Sequence, residues 1–118
     1  MAEPYIATLD EDGWCIDDGE KAHRASPENY YIPPQDQREN LRTGSLVKIR
    51  FYIRAPDESG QVIDHGERMW VHVKQVVGGW YLGELDNDPY CTDTIKSGLE
   101  VWFQPKHVID IYQEPDNA

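Results

Sequence analysis

The segment that most constrains the fold is 46-LVKIRFYIR-54, where apolar and polar side chains alternate. Every odd position from Val47 to Ile53 is apolar, whereas Lys48, Arg50 and Arg54 occupy even positions. A period of two is typical of a strand with one buried face. The segment therefore predicts a half-buried strand that carries a stripe of cations on its other face.

A predicted β-hairpin gives the second constraint, in 67-ERMWVHVKQVVGGWYLGELDNDP-89. A two-residue Gly-Gly turn would place Glu84 opposite Val73, among the valines. A three-residue loop, with Val76 paired to Trp80, instead keeps every charged side chain between residues 70 and 86 on one face. Because burial selects the register of a strand pair, we predict the three-residue loop.

This register leaves a mixed face on the hairpin, where tryptophans lie beside charged groups. The chain has four tryptophans and seven tyrosines. Some of them belong to a core, but their number also fits a binding face, because these residue types often anchor interfaces. We therefore predict a binding face made of Trp70, His72, Trp80, Glu84, Asp86, Asn87 and Trp102. The alternative is that the acidic N-terminal segment or a short helix covers this face.

The remaining chain predicts only short elements. Strands are predicted at 5–9, 14–16, 99–103 and 107–112, helical turns at 36–42 and 92–98, and a loop at 17–29. About five short strands joined by brief turns favour a small barrel. The predicted fold class is α+β, mostly β, with a small strongly bent or barrel-like antiparallel sheet and one or two short helices.

The chain length of 118 residues predicts one domain. We assign residues 30–112 to this domain and residues 1–29 to an acidic N-terminal segment that packs on it or extends it. Residues 113–118 are predicted to be a disordered tail.

The net charge of the chain indicates which classes of partner it can attract. The chain has 22 acidic and 11 basic residues, a net charge of −11. Such a surface repels phosphate backbones, so we expect no nucleic-acid partner, and it attracts a basic protein. The chain has no long apolar run and no signal peptide, so we expect no membrane contact and a cytoplasmic location. The sequence gives no basis for an oligomeric state.

Motifs for catalysis and metal binding are missing from the sequence. It contains no nucleophile elbow, Walker loop, dinucleotide fingerprint or zinc-protease motif. The run from Asp86 to Asp88 departs from calcium-loop spacing and instead predicts a capped strand exit. Cys91 lies near Asp88 and Asp93, which would raise its pKa. We therefore expect no enzyme activity, no metal and no cofactor.

A resemblance adds to these expectations. The pieces IPPQDQRENLRTGSLVKIRF, GERMWVHV, GELDNDP and IKSGLEVWFQPKHVIDI, within residues 30–111, resemble the YegJ-like family of small bacterial domains of unknown function. The layout is more loosely similar to immunity-protein-like domains found beside bacterial toxins. The family has no established activity, so the acidic surface, the many aromatic residues and the missing catalytic motifs are what predict a non-enzymatic protein-interaction module. The second likeness implies that this module is an immunity protein with a basic partner. The alternative is a small-ligand-binding domain or enzyme with a pocket near Trp70, His72 and Asn87.

Overall fold

The structure, a computed structural model, describes residues 3–113 of the chain. One antiparallel sheet of six strands organises these residues. In chain order the strands are β1 (Trp14–Ile16), β2 (Leu46–Pro56), β3 (Val62–Val77), β4 (Trp80–Leu85), β5 (Glu100–Phe103) and β6 (Asp110–Ile111). The helices are α1 (Leu9–Asp12), α2 (Gly19–Ala25) and α3 (Gln35–Glu39), with a 3-10 helix at Pro105–His107.

The sheet has the order β1–β2–β3–β4–β5, and β6 also pairs with β2. β1 pairs with the part of β2 around Tyr52, and β6 pairs with its first residues, Val47 and Lys48. Both short strands thus cover one edge of β2, while β3 covers the other. The sheet curls into a half-barrel, which confirms the predicted fold class.

The core lies on the inner face of this sheet. The odd positions of β2 are buried, as the alternation predicted. The largest fully buried side chains are Phe51, Phe103, Ile49, Ile53, Leu85, Val47, Val71, Val73, Val101 and Val108. Gly83 lies among them because a Cβ there would meet Val71 Cγ1 at 2.5 Å and His72 O at 2.7 Å. The even positions of β2 form the outer face.

The turn between β3 and β4 differs from the prediction. Val77 pairs with Trp80 across a two-residue Gly-Gly turn, so the predicted three-residue loop is wrong. Gly78 adopts a positive φ of 60°, which glycine permits without steric cost.

A β-bulge in β3 then produces the strand register that the three-residue loop was predicted to produce. The register shifts by one residue between Val73 and Gln75, and Lys74 is the extra residue. Beyond the bulge, His72 lies opposite Glu84, as predicted. The predicted register is therefore correct for the three pairs from Val71 to Val73 and wrong for the three pairs between the bulge and the turn.

The N-terminal third contains helices where the sequence predicted a strand and a loop. The strand predicted at 5–9 is wrong, because Thr8 caps α1 instead and its side chain accepts from the Glu11 N–H. The loop predicted at 17–29 contains α2, which Asp18 caps by accepting from the Lys21 N–H. Neither helix has an apolar periodicity that a sequence pattern could detect.

The helical turns further along the chain also differ from prediction. α3 begins after Pro34 without a side-chain cap, so the predicted helix at 36–42 starts too late and ends too late. No helix forms at 92–98, where the Ser97 N–H donates to Asp88 Oδ1 across a bent loop. The predicted strand at 107–112 is reduced to β6, because the 3-10 helix occupies its beginning.

Arg38 fastens the N-terminal segment to the rest of the domain. Its side chain is 5% exposed and donates to Glu20 Oε2 at 2.6 Å, to the Pro33 carbonyl at 2.9 Å and to the Pro105 carbonyl at 3.1 Å. One guanidinium therefore joins α2, α3 and the 3-10 helix.

Two further observations concern the predicted C-terminal tail and the possibility of a membrane-spanning helix. In the predicted tail, residues 114–118 lie outside the described part of the chain. Among the residues that the structure describes, no helix combines the length and the apolar character needed to cross a lipid bilayer.

Candidate functional site

The predicted binding face is divided between the two ends of the β3–β4 hairpin. Trp80 lies opposite Val77, seven positions beyond Trp70 along β3. At roughly 3.3 Å per residue, the two tryptophans are about 20 Å apart. They cannot contact one ligand group together.

At the Trp70 end, the outer face is built from three neighbouring strands. The Trp70 ring lies 4.7 Å from Lys48 Nζ and meets the Tyr112 ring edge-on at 6.1 Å. Its backbone N–H donates to Asn87 Oδ1 at 2.6 Å, and its carbonyl accepts from the Asp86 N–H at 2.9 Å. Asn87 therefore closes the exit of β4, as the capped-exit interpretation predicted.

The other predicted residues do not form a pocket with Trp70. His72 is exposed, and Glu84 opposite it pairs with Lys74 at 3.6 Å. Trp102 lies opposite Leu82 on the outer parity but is only 8% exposed, so it presents little surface to a partner. The two cavities described below are lined by other residues.

An open groove of about 620 Å³ lies at the far end of the β2–β3 hairpin. We call it the acidic groove, and its lining is Pro56, Asp57, Glu58, His65, Gly66, Glu67, Tyr90 and Cys91. Residues distant in sequence meet here because the hairpin extends past the core towards the loop that follows β4.

Glu67 is the central carboxylate of the acidic groove. It accepts from the Tyr90 N–H at 3.0 Å and from the Cys91 N–H at 3.2 Å, which ties the 90–91 loop to β3. Partial burial alone would raise the pKa of Glu67, but the hydrogen bonds from Cys91 and Tyr90 outweigh this effect and lower it. Glu67 therefore keeps its negative charge at neutral pH.

Asp57 supplies a second charge while it shapes the hairpin tip. Its Oδ1 accepts from the N–H groups of Ser59 and Gln61 and from the Ser59 hydroxyl. These bonds, led by the Ser59 hydroxyl, lower the pKa of Asp57. This is a side-chain-to-backbone turn of the type that Asp favours. Glu58 beside it is exposed.

Cys91 is a poor nucleophile in this setting. Burial raises the pKa of its thiol to about 11, and Glu67 adds to the shift through a hydrogen bond and its charge. The direction predicted from the sequence is correct, but its main causes are burial and Glu67 rather than the flanking aspartates. The thiol is therefore protonated near neutral pH.

His65 lines the same groove with a fixed ring orientation. Its Nε2 lies 3.0 Å from the Ala55 carbonyl, which can only accept, so Nε2 carries a proton. Within residues 3–113, no group of three or more His, Cys, Asp or Glu side chains is arranged to hold a metal ion.

The sequence alone did not reveal the acidic groove. Residues 55–66 are mostly polar and contain proline and glycine, a composition that indicates a loop or hairpin tip, and nothing in this pattern links them to Tyr90. The strongest signal was the set of turn-forming residues Asp57, Ser59 and Gly60 after β2, which indicates a turn but not a cavity.

Comparisons with known proteins add no neighbour. No family model, no curated protein and no solved structure matches the chain. The resemblance to the YegJ-like family therefore stays a prediction.

Proposed function

We propose that the protein is a non-enzymatic interaction module that receives a basic segment of another protein in the acidic groove. One observation carries this proposal. Asp57, Glu58 and Glu67 line the groove, and within residues 3–113 none of them forms a salt bridge with a lysine or arginine. A partner's cations would supply the missing countercharges.

The groove also offers an apolar anchor. Tyr90 is fully exposed at 101% of its reference surface, and Val62 and Ile63 on the hairpin are exposed as well. Tyrosine is enriched among the residues that dominate interface energetics. A segment with alternating basic and apolar side chains would match this arrangement, and the net charge of −11 would speed its approach.

The chemistry of the groove supports binding rather than catalysis. Its thiol is protonated, because the pKa of Cys91 is about 11. One nitrogen of His65 is bonded to a backbone carbonyl. A nucleophilic cysteine needs a thiolate and a nearby base, and Glu67 opposes the first of these.

Within this class, the sequence resemblance favours an immunity protein of the bacterial cytoplasm. A basic toxin would then contribute the segment that enters the groove. The Trp70 end of the hairpin is a weaker candidate for this contact, because Trp70 is half-buried and already packs against Lys48 and Tyr112.

The proposal is tested by affinity purification from a lysate of the source organism, with quantitative mass spectrometry. The groove variant is Glu58→Lys with Tyr90→Ala, at two exposed positions where substitution leaves the core intact. The matched control is Glu100→Lys with Tyr31→Ala, also exposed but outside the groove.

We expect a basic protein that the wild type and the control retain and the groove variant loses. Equal recovery by the groove variant would contradict the proposal, and so would recovery of no basic protein by the wild type.

A further inference from the structure

Three cations on the outer face, Lys48, Arg50 and Arg68, form no salt bridge with a carboxylate within residues 3–113. Arg50 on β2 and Arg68 on β3 lie directly opposite each other, and Lys48 lies two residues before Arg50 on β2. Like charges in opposing positions destabilise a sheet.

The next cation in the same stripe shows that the protein can neutralise such groups. Arg54 donates to Asp64 at 3.0 Å and to Asp10 at 3.1 Å. Two carboxylates therefore neutralise Arg54, whereas Lys48, Arg50 and Arg68 form no salt bridge within residues 3–113.

Aromatic rings hold the three cations in position without cancelling their charge. Lys48 Nζ lies 4.7 Å from the Trp70 ring centre, Arg50 Cζ 5.2 Å from that of Tyr52 and Arg68 Cζ 5.6 Å from that of Tyr30. Contacts of this kind orient a cation over a ring and leave its charge available.

A small cavity lies where Lys48 and Arg68 meet the chain segment that crosses the outer face. Its volume is about 230 Å³, and its lining is Asn29, Tyr30, Tyr31, Lys48, Arg68, Ile109 and Asp110. Ligand pockets for drug-sized molecules span roughly 300–1,000 Å³. The cavity is therefore suited to a group of a few heavy atoms rather than to a nucleotide or a peptide.

The nearby carboxylates are partly engaged by their own backbone. Asp110 lines the cavity, and its Oδ1 accepts from the Ile111 N–H at 2.9 Å. Asp17 Oδ1 accepts from the Asp18 N–H at 3.0 Å. Asp110 opposes an anion in the cavity, but Lys48 and Arg68 together outweigh its single charge.

The Tyr30 hydroxyl shows that this region is short of acceptors. It is buried and has no hydrogen-bond partner within the described residues. Burial and Asp17 raise the pKa of Tyr30, while the guanidiniums of Arg68 and Arg50 lower it. Arg50 is thus close to this hydroxyl without forming a well-aligned hydrogen bond to it.

We propose that this cavity binds a small oxyanion of phosphate size, held by Arg68 and Lys48. Guanidinium groups match the geometry of such anions and bind them through charge-assisted hydrogen bonds. Phosphate binding here does not depend on the acidic groove, which lies at the far end of the β2–β3 hairpin.

The test is an NMR titration of the ¹⁵N-labelled protein with inorganic phosphate at constant ionic strength. We expect saturable shifts in the amides of Tyr30, Tyr31, Lys48 and Arg68. Glycerol 3-phosphate is titrated in parallel. Tighter binding of this ester would indicate a phosphate that carries a tail, and equal or weaker binding would indicate the free ion; both results support an oxyanion site.

Two variants change the affinity in opposite directions. Arg68→Gln, at an exposed position, should weaken binding by about tenfold or more. Asp110→Asn keeps the acceptor for the Ile111 N–H but removes the opposing charge, so it should tighten binding, a gain that a folding defect cannot produce. Lys96→Gln, an equal charge change at an exposed position outside the cavity, is the control and should leave the affinity unchanged.

Non-saturable shifts at millimolar phosphate would overturn the proposal. Equal weakening by Lys96→Gln and Arg68→Gln would also overturn it, because the effect would then be one of net charge.

Discussion

Replacing Arg38 by methionine tests how the N-terminal segment is fastened to the sheet. Methionine keeps most of the apolar stem of the buried side chain but removes all three of its hydrogen bonds. Within residues 3–113 the loss leaves the Pro33 carbonyl unpaired, whereas the Pro105 carbonyl loses one of its two donors and still accepts from the Val108 N–H at 3.2 Å.

The magnitude follows from these contacts. A hydrogen bond to a charged group contributes about 1.5 kcal/mol at the lower end of its range, so two carbonyls give about 3 kcal/mol. The Glu20 side chain is 32% exposed, so water compensates for most of its lost partner. We therefore expect the free energy of unfolding to fall by about 3 kcal/mol and the melting temperature by about 12 °C.

Urea denaturation, followed by tryptophan fluorescence, measures the change. The comparison variant is Glu20→Gln, which leaves Arg38 bonded to both carbonyls and should cost only about 1 kcal/mol. The reasoning is wrong if Arg38→Met lies within 1 kcal/mol of the wild type, or if Glu20→Gln is equally destabilising.

Two further predictions concern buried titratable groups. Burial, with Lys106 nearby, lowers the pKa of His107 to about 4, below the roughly 6.5 of an unfolded chain. The unfolded state therefore binds more protons between these values, so stability falls as the pH falls through this window, by at most about 3 kcal/mol. His107→Gln, which keeps an acceptor for the Gln104 N–H, should make urea midpoints at pH 7 and pH 4.5 differ less than in the wild type; an unchanged difference would contradict the assignment. For Cys91, Glu67→Gln should lower the thiol pKa and speed alkylation by iodoacetamide, as followed by mass spectrometry, whereas equal acceleration at Cys15 would indicate general loosening.

The parts of the fold that the sequence predicted are those in which local patterns report burial. The alternation in β2 identified both of its faces, because each side chain on a strand has a fixed parity. The pairing of His72 with Glu84 followed from the same argument. The bulge at Lys74 could not be predicted, because a single extra residue leaves no composition signal on a polar face.

The missed elements depend on contacts between distant segments. α2 has seven residues and forms where its first residue, Gly19, packs closely against Ile109. A helix this short depends on tertiary packing rather than on propensity.

The candidate sites also depend on contacts between segments that are distant in the sequence. Tryptophan positions suggested a face, but the hairpin separates Trp70 from Trp80. The acidic groove joins Asp57, Glu67 and Tyr90, whose proximity only the folded hairpin creates.

The central claim is that the acidic groove receives basic segments. The most direct measurement is an NMR titration of the ¹⁵N-labelled protein with a short peptide of alternating lysine and leucine. We predict saturable amide shifts at Glu58, Glu67 and Tyr90 that disappear in the Glu58→Lys, Tyr90→Ala variant and persist in its matched control. Shifts centred on the exposed acids of α1, or shifts that survive in the groove variant, would contradict the claim.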